Sequence, residues 1–423
     1  MWRQEFCSNS CKYAGAFGEK VLKKRAVDTL SDVLPYERAW RWLIGRRLFN
    51  QVMNPTLQLH ASDRVLFFAP HPDDESIGGG GLAQKALLAG AQMRWVFLTN
   101  GDRNPWPQRI LERRMWIKAK DQRRWGSRRQ QEALNALATL GVGQPAEAHF
   151  FNWPDQGVTD LLMTGNEEAI GLIEAQIAAW NPTYIISPAA EDTHPDHSAF
   201  FVLLRIAIDR LVRRGVVAGS ILTYLVHRPR SPLSLAVCSL DLSPLEKATK
   251  AEAIQAHETQ MLSRKRFLAH AKDQEAFLVP LRAESKHPHH PIVSADQGSG
   301  ALRLKIQLPK GLTRFGGATV QIALETLLEG GLRWTLSLPS RSAKVPVVNF
   351  KTGESRRSAS IRIVGRTATI LIPIVTAQPI GSIFAKFDRR RVFFDLAGWR
   401  ELPADIDRGP TVCRHQFGSL AVQ

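Results

Sequence analysis

Two short stretches gather side chains able to bind a metal or move a proton. The first, "APHPDDESIGGGG", sets His71, Asp73, Asp74 and Glu75 just before four glycines, Gly78 to Gly81. The second, "EDTHPDHSAFF", sets His194, Asp196 and His197 close together. Imidazole and carboxylate are donors that divalent transition metals favour, and a catalytic zinc takes three protein ligands and keeps one position open. Such a centre suits hydrolysis of an unreactive bond. Zinc lowers the pKa of water from 15.7 to about 7 and polarises a carbonyl oxygen, and a nearby carboxylate takes the proton released on attack. The rival interpretation is capping, since Asp at helix N-termini and Pro in turns are common. Capping does not account for three histidines and three aspartates at two strand ends.

Both stretches need a rigid mount, and the flanking sequence supplies one. "RVLFFAP" and "TYIISPAA" read as buried strands, each running directly into its cluster. "GGLAQKALLAGA" reads as a helix ended by Gly90, and "MRWVFLTNG" as a second strand. "RRQQEALNALATLGV" has apolar residues near i, i+3, i+4 and i+7 and ends at Gly141. "AEAHFFNWPD" is a short strand, "EEAIGLIEAQIAAWNP" and "HSAFFVLLRIAIDRLVRRG" are helices, and "SILTYLVHRP" is a strand. Strands separated by helices imply parallel pairing with helices on both faces. The expectation is an α/β domain, an open, mostly parallel, Rossmann-like sheet, with both clusters at the carboxyl ends of its strands. The glycines would let a helix start close against the strand and leave the pocket floor free of side chains.

The remainder divides by pattern. Residues 1–60 form an N-terminal extension with a helix candidate, "ERAWRWLIGRRLFNQVM", around Trp40. The α/β domain covers 61–280. In its last part Ser243 and Glu246 fit a capping box with Pro244 at the first helical position. Residues 281–300, rich in Pro, His, Ser and Gly, read as a linker in which His287, His289 and His290 are solvated. From 301 to 423 the period becomes two, as in "ALRLKIQL" and "LRWTLSL", and an antiparallel β-sandwich-like domain is expected.

The clusters also resemble a family. "APHPDDESIGGGG" and "HPDHSAFF" are similar to the two signature motifs of the PIG-L/LmbE deacetylases, zinc-dependent enzymes that remove an N-acetyl group from glucosamine-containing substrates. "VFLTNGD", the Arg129–Glu132 helix, "NWPDQGV" and "KAEAIQAHETQ" extend the likeness over roughly residues 62–275. The resemblance implies His71, Asp74 and His197 as ligands of one Zn2+ per chain, or of another divalent transition metal. It implies Asp73 as general base and His194 as electrophile or general acid. Where some relatives carry a Tyr or Gly-rich approach to the second motif this chain has "EDT", and Arg129 is the candidate to help as oxyanion donor. His257 either lines the pocket or is a helix-face histidine with a hydrogen-bond partner. Asp102 and Asp155 either contact sugar hydroxyls or are turn residues. The implied partner is an N-acetylated amino-sugar substrate. The alternative is a catalytically idle scaffold that binds a sugar or an anionic surface.

Charge adds one further expectation. The 423-residue chain carries a formal net charge of +17, which favours anionic partners. Much of it falls in "RNPWPQRILERRMWIKAKDQRRWGSRR", residues 103–129, where Trp106, Trp116 and Trp125 interleave with Arg and Lys. This is either a solvated basic insertion or a surface for a phosphate-bearing or lipid-linked sugar at an anionic membrane. Nucleic acid ranks lower because no nucleic-acid module is recognisable. Four scattered cysteines, Cys7, Cys11, Cys238 and Cys413, read as ordinary thiols of a reducing compartment. With no signal peptide and no long apolar run, the expected location is cytoplasmic, peripheral to the inner face of the membrane where the basic surface engages it.

Overall fold

Strand β1 (Arg64–Ala69) is buried along nearly its whole length because both of its faces are covered. Val65, Phe67 and Ala69 enter one apolar core, while Leu66 and Phe68 enter another. Double burial is why the strand reads as an unbroken hydrophobic run. The computed structural model describes residues 56–143, 147–227, 237–280, 290–298, 300–327, 330–374, 379–389 and 393–403. The helix candidate around Trp40, the histidines His287 and His289, and Cys7, Cys11 and Cys413 lie outside the described residues. Cys238 is a buried free thiol whose pKa burial pushes up to about 11.

β1 is followed by helix α1 (Asp74–Ala89), β2 (Gln92–Thr99), α2 (Pro105–Glu112), α3 (Ala119–Thr139) and β3 (Ala148–Trp153). Then come α4 (Val158–Thr164), α5 (Glu167–Trp180), β4 (Tyr184–Pro188), α6 (Pro195–Arg213) and β5 (Ser220–Tyr224). After β6 (Val237–Asp241) come α7 (Pro244–Gln255), a 3-10 turn (Glu258–Ser263), α8 (Arg264–Leu268) and β7 (Gln274–Leu278). The seven strands form one sheet in the order β3-β2-β1-β4-β5-β7-β6, parallel except that β7 runs antiparallel to β5 and β6. α1, α3 and α7 cover one face through Leu82, Leu137 and Ala253, and α4, α5 and α6 cover the other through Leu162, Ile173 and Phe200. The expected capping box is present at α7, where Ser243 Oγ accepts from the Glu246 amide and the Glu246 carboxylate accepts from the Ser243 amide.

The four glycines do not precede a helix; they lie inside α1, which begins at Asp74. A Cβ on Gly78 would meet Tyr224 at 2.5 Å, one on Gly79 would meet Phe67 at 2.5 Å, and one on Gly81 would meet Leu242 at 2.6 Å. Their function is close packing of α1 on the sheet. They are not part of the cavity described below, so the expected side-chain-free pocket floor is not what they provide.

The second sheet comprises β8 (Ile292–Gly298), β9 (Ala301–Gln307), β10 (Thr319–Thr326), β11 (Gly331–Ser337), β12 (Ala343–Asn349), β13 (Ser355–Val364), β14 (Thr367–Pro373), β15 (Ile380–Asp388) and β16 (Arg400–Leu402). All its pairings are antiparallel, in the order β16-β15-β10-β11-β12-β13-β14-β9-β8. Leu302, Leu304 and Ile306 of β9 are buried and alternate with exposed residues, as the period of two requires. One continuous sheet forms here rather than two stacked ones. It curls round its own core until β8 and β16 touch and the Arg400 guanidinium donates to the Ile292 carbonyl. His290 is buried, not solvated: its Nε2 donates to Gly398 O (3.2 Å) and its Nδ1 accepts from the Ile292 amide (3.1 Å).

Candidate active site

β1 and β4 lie side by side at the centre of the first sheet, and strand order reverses between them. In open α/β sheets a crevice forms beyond the carboxyl ends at such a point. Both sequence clusters occupy it. His71 lies in the turn from β1 to α1, and Asp74 is the first residue of α1. His194 caps the N-terminus of α6, and His197 lies in the first turn of α6.

Three donor atoms converge there. Asp74 Oδ2 is 3.2 Å from His71 Nδ1 and 3.1 Å from His197 Nε2, and the two ring nitrogens are 3.3 Å apart. The second nitrogen of each ring faces a carboxylate. His71 Nε2 is 3.4 Å from both Asp155 Oδ1 and Asp196 Oδ2, and His197 Nδ1 is 3.1 Å from Asp192 Oδ2. Carboxylates behind metal-binding histidines fix ring orientation in just this way. Wider combinations of donors, His71 with His194 and His197, or His71 with Asp155 and Asp196, lie within 4.8 Å of one another. The centre is rich in buried negative charge. Burial works against a charged His197, but Asp74 and Asp192 lift its pKa to about 9. Burial likewise opposes a charged His71, and Asp155, Asp196 and Asp74 raise it well above its ordinary value. The donor types, their convergence and this demand for positive charge fit a divalent cation.

Asp73 stands beside this centre with a backbone φ of 142°, a region costly for a residue with a side chain. Two contacts hold it there. Its amide donates to Glu75 Oε2 (2.8 Å), and its Oδ2 accepts from Arg129 Nη2 (3.0 Å). Burial pushes the Asp73 carboxyl up to about 6, against the pull of Arg129 and with a push from Asp74. Arg129 also donates to Pro72 O (2.5 Å) and Gly101 O (2.7 Å). Gly101 has φ +60°, and a Cβ there would lie 1.7 Å from the Arg129 guanidinium, so only glycine fits. Arg129 therefore positions Asp73 and also lines the cavity described below.

Other expected substrate contacts move. His257 is wholly buried, 2.7 Å from Glu75 Oε1, and is not part of the cavity wall. It is a packed histidine with a partner, the second of the two alternatives. Asp155 does reach the cavity, but its Oδ1 backs His71 and its Oδ2 accepts from the Arg103 amide (2.7 Å). Asp102 is half-buried and outside the wall, with its pKa raised by burial and by Asp155. His194 lines the cavity. Its Nδ1 accepts from the Asp196 amide (3.3 Å), so the proton of the neutral ring sits on Nε2. Burial and the neighbouring His71, His197 and His227 hold its pKa well below the ordinary value.

Two residues of the site have no counterpart in the sequence reading. Asp192 is fully buried; its Oδ1 accepts from the His194 amide (2.8 Å), and its Oδ2 accepts from the amides of Val226 (3.2 Å) and His227 (3.1 Å) besides facing His197. Its place on the same strand-to-helix turn, two residues before His194, was the available signal. His227 lies beyond the carboxyl end of β5, where the strand-end rule would have found it; burial lowers its pKa to about 4. His71, Asp73, Asp74, Asp155, His194 and His227 border a cavity of about 350 Å³.

A family model described as PIG-L, GlcNAc-PI de-N-acetylase, matches residues 66–208, a range that holds both clusters. The match to the PIG-L family thus takes in β1 from Leu66 through most of α6. The 1D-myo-inositol 2-acetamido-2-deoxy-alpha-D-glucopyranoside deacetylase of Mycobacterium avium is 32% identical over 145 residues, which is 32% of this chain and 47% of that protein. A protein of the same name from Mycobacteroides abscessus is 26% identical over 267 residues, 58% of this chain and 88% of that protein. The chain spans about half the length of the first curated relatives it matches. Among solved structures, the N,N'-diacetylchitobiose deacetylase from Pyrococcus horikoshii superposes with a TM-score of 0.39 at 21% identity, covering 60% of this chain and 94% of that one. Of the cavity wall, His227, Phe267 and Phe394 lie outside the PIG-L match.

Proposed function

We propose that the protein is a metal-dependent hydrolase that removes an N-acetyl group from an N-acetylated amino sugar or its conjugate. The observation that carries this is the meeting of His71 Nδ1, Asp74 Oδ2 and His197 Nε2 within 3.3 Å of one another, directly beside Asp73. The deacetylase names of the relatives support the same chemistry. Two nitrogens and one oxygen suit Zn2+, one per chain, with other divalent transition metals accepted. When bound, such a cation would polarise the acetyl oxygen and acidify a water.

The protein's own groups do the rest. Asp73, held against Arg129, takes the proton of the attacking water as the carbon–oxygen bond forms. His194 presents Nε2–H as a neutral donor to the carbonyl oxygen as negative charge develops on it. When the carbon–nitrogen bond breaks, the proton on Asp73 passes to the departing amine, leaving acetate and a free amino sugar. Asp155, Asp192 and Asp196 keep both ring ligands in place throughout. An idle scaffold is the weaker reading, because none of these groups is missing. The sheet order 3-2-1-4-5 over its parallel strands supports the Rossmann-like description.

Elemental analysis paired with amine release from N-acetylglucosamine derivatives tests the proposal on wild type and Asp73→Asn. The expected outcome is about one equivalent of metal in both, with amine release at least ~100-fold slower in the variant. Wild type that takes up no metal on reconstitution would refute it.

A second reading concerns the basic stretch. Trp125 is buried in α3, but Trp116 is 80% exposed, Met115 73%, Ile110 59% and Trp106 57%. These apolar groups sit among Arg109, Arg113, Arg114 and Lys118, a mixture that suits an anionic membrane surface. None of the described helices is long and apolar enough to cross a membrane. We propose peripheral contact from the cytoplasmic side through this face. Anionic vesicles should sediment wild type but much less Met115→Ser/Trp116→Ser, and neutral vesicles neither; equal behaviour on both vesicle types would rule this contact out.

A further inference from the structure

The second sheet reaches into the site. Residues 393–399, just before β16, lie against the turn that carries Asp192 and His194. Their attachment is firm. The Asp395 amide donates to Thr193 O (2.9 Å), and the Trp399 amide donates to Ala190 O (2.8 Å). Lys386 Nζ meets Asp395 Oδ2 at 2.8 Å with both side chains at most 2% exposed. A Cβ on Gly398 would lie 1.8 Å from Ala190 O, so the two backbones pack in direct contact. Asp395, Ala397, Gly398 and Trp399 are buried, yet Phe393 and Phe394 are only half-buried and line the cavity. The Phe394 ring centre lies 5.8 Å from that of His194 and 5.0 Å from that of His227. Leu262 and Phe267, from the 3-10 turn and α8, belong to the same cavity. Apolar surface held open to water on a rigid segment is unfavourable until something covers it.

We infer that the second sheet completes the cavity with an aromatic subsite, built on Phe393 and Phe394, for an apolar group linked to the amino sugar. This rests on the deacetylase reading for the sugar, whereas the subsite itself rests on the walls. Among the polar groups of the cavity, His71, Asp73, Asp74 and His194 are those that would handle the N-acetyl group, and Phe394 adjoins His194. A substituent on the sugar would then meet aromatic rings that lie outside the PIG-L match. Aromatic rings accept aryl groups edge-to-face and alkyl chains by burial.

The test measures binding, not turnover, to the full chain carrying Asp73→Asn. Calorimetry compares the methyl, phenyl and heptyl β-glycosides of N-acetylglucosamine, with and without Phe394→Ala. The phenyl or heptyl glycoside is expected to bind about 10-fold more tightly than the methyl glycoside, and Phe394→Ala to bring that ratio close to one. Loss by phenyl alone would mark an aryl partner, and loss by heptyl an alkyl one. An unchanged ratio, or an equal loss for all three glycosides, would overturn the subsite, the latter because Phe394 would then be touching the sugar itself. If Phe394→Ala does not fold, Phe394→Leu decides: it keeps apolar volume without a ring and should weaken phenyl more than heptyl. Selective binding without amine release in wild type would uphold the subsite while the deacetylase reading failed, so the two can fail separately.

Discussion

Asp192 shows how much of the site depends on a residue that touches no substrate. Its two oxygens accept from the amides of His194, Val226 and His227 and from His197 Nδ1. Asn at this position keeps the shape but has one acceptor oxygen, and its NH2 would face donors. Asp192→Asn should therefore weaken metal binding about 10- to 100-fold, the usual effect of losing a carboxylate behind a ligand histidine. Chelator competition measures this directly, and excess metal should restore part of the activity. Unchanged metal affinity would mean that Asp192 only shapes the turn. The types and spacing of His71, Asp74, His194 and His197 were legible in sequence, since ligand chemistry restricts which side chains can serve. The partners behind them were harder to see. Asp192, Asp196 and Asp155 act on rings brought near by the fold, and His257 looks like a ligand contact until its burial and its Glu75 partner are known.

At the scale of elements, the approach of α1 to β1 sets where Asp74 lies relative to His71, and the glycines set that approach. Phe67 is held between Trp95 and Tyr224, with ring centres 4.9 and 5.1 Å away, so it cannot yield to a methyl group on Gly79. Gly79→Ala should destabilise the protein by about 1–3 kcal/mol in urea unfolding, as overpacking does. Gly171→Ala, exposed in α5 with nothing within 4 Å of its Cβ, should instead stabilise it by about 0.5–1 kcal/mol. If both shift stability alike, helix propensity and not contact with the sheet governs α1. The periods of two and 3.6 made most elements legible. α3 begins at Ala119, well before its apolar periodicity, because its first turns are basic and its start is fixed by Asp121 accepting from the Lys118 amide. The short strands β6 and β7 carry no clear period of two, and they extend the sheet because β7 pairs antiparallel with β5 and β6 pairs antiparallel with β7.

At the scale of the whole molecule, the two sheets share a core. Ala323, Phe384 and Trp399 of the second sheet join the apolar cluster that contains Leu162, Phe200 and Leu203, and the Arg333 guanidinium donates to Leu162 O (2.9 Å). No sequence period reports such a contact, which is why the second sheet read as a separate body beyond a linker, although β8 already begins at Ile292. Glu191 lies at this junction, in a small cavity it shares with Trp399, Arg400 and Glu401. Burial, with a smaller push from Asp192, raises its carboxyl from 4.5 to about 7. The sign follows from linkage: a folded-state pKa above the unfolded one favours the neutral form in the fold. The contribution of Glu191 to stability is full below about pH 4.5 and is lost as pH rises through 7. Glu191→Gln keeps an uncharged side chain there at every pH. The variant should match wild type near pH 4.5 and exceed it by on the order of 2 kcal/mol above pH 7, a figure reduced for the part of the side chain that solvent reaches. Thermal unfolding of both proteins from pH 4 to 8 measures the difference. Parallel curves would mean that Glu191 ionises in the fold without cost, and that the junction between the sheets is open to water at this point.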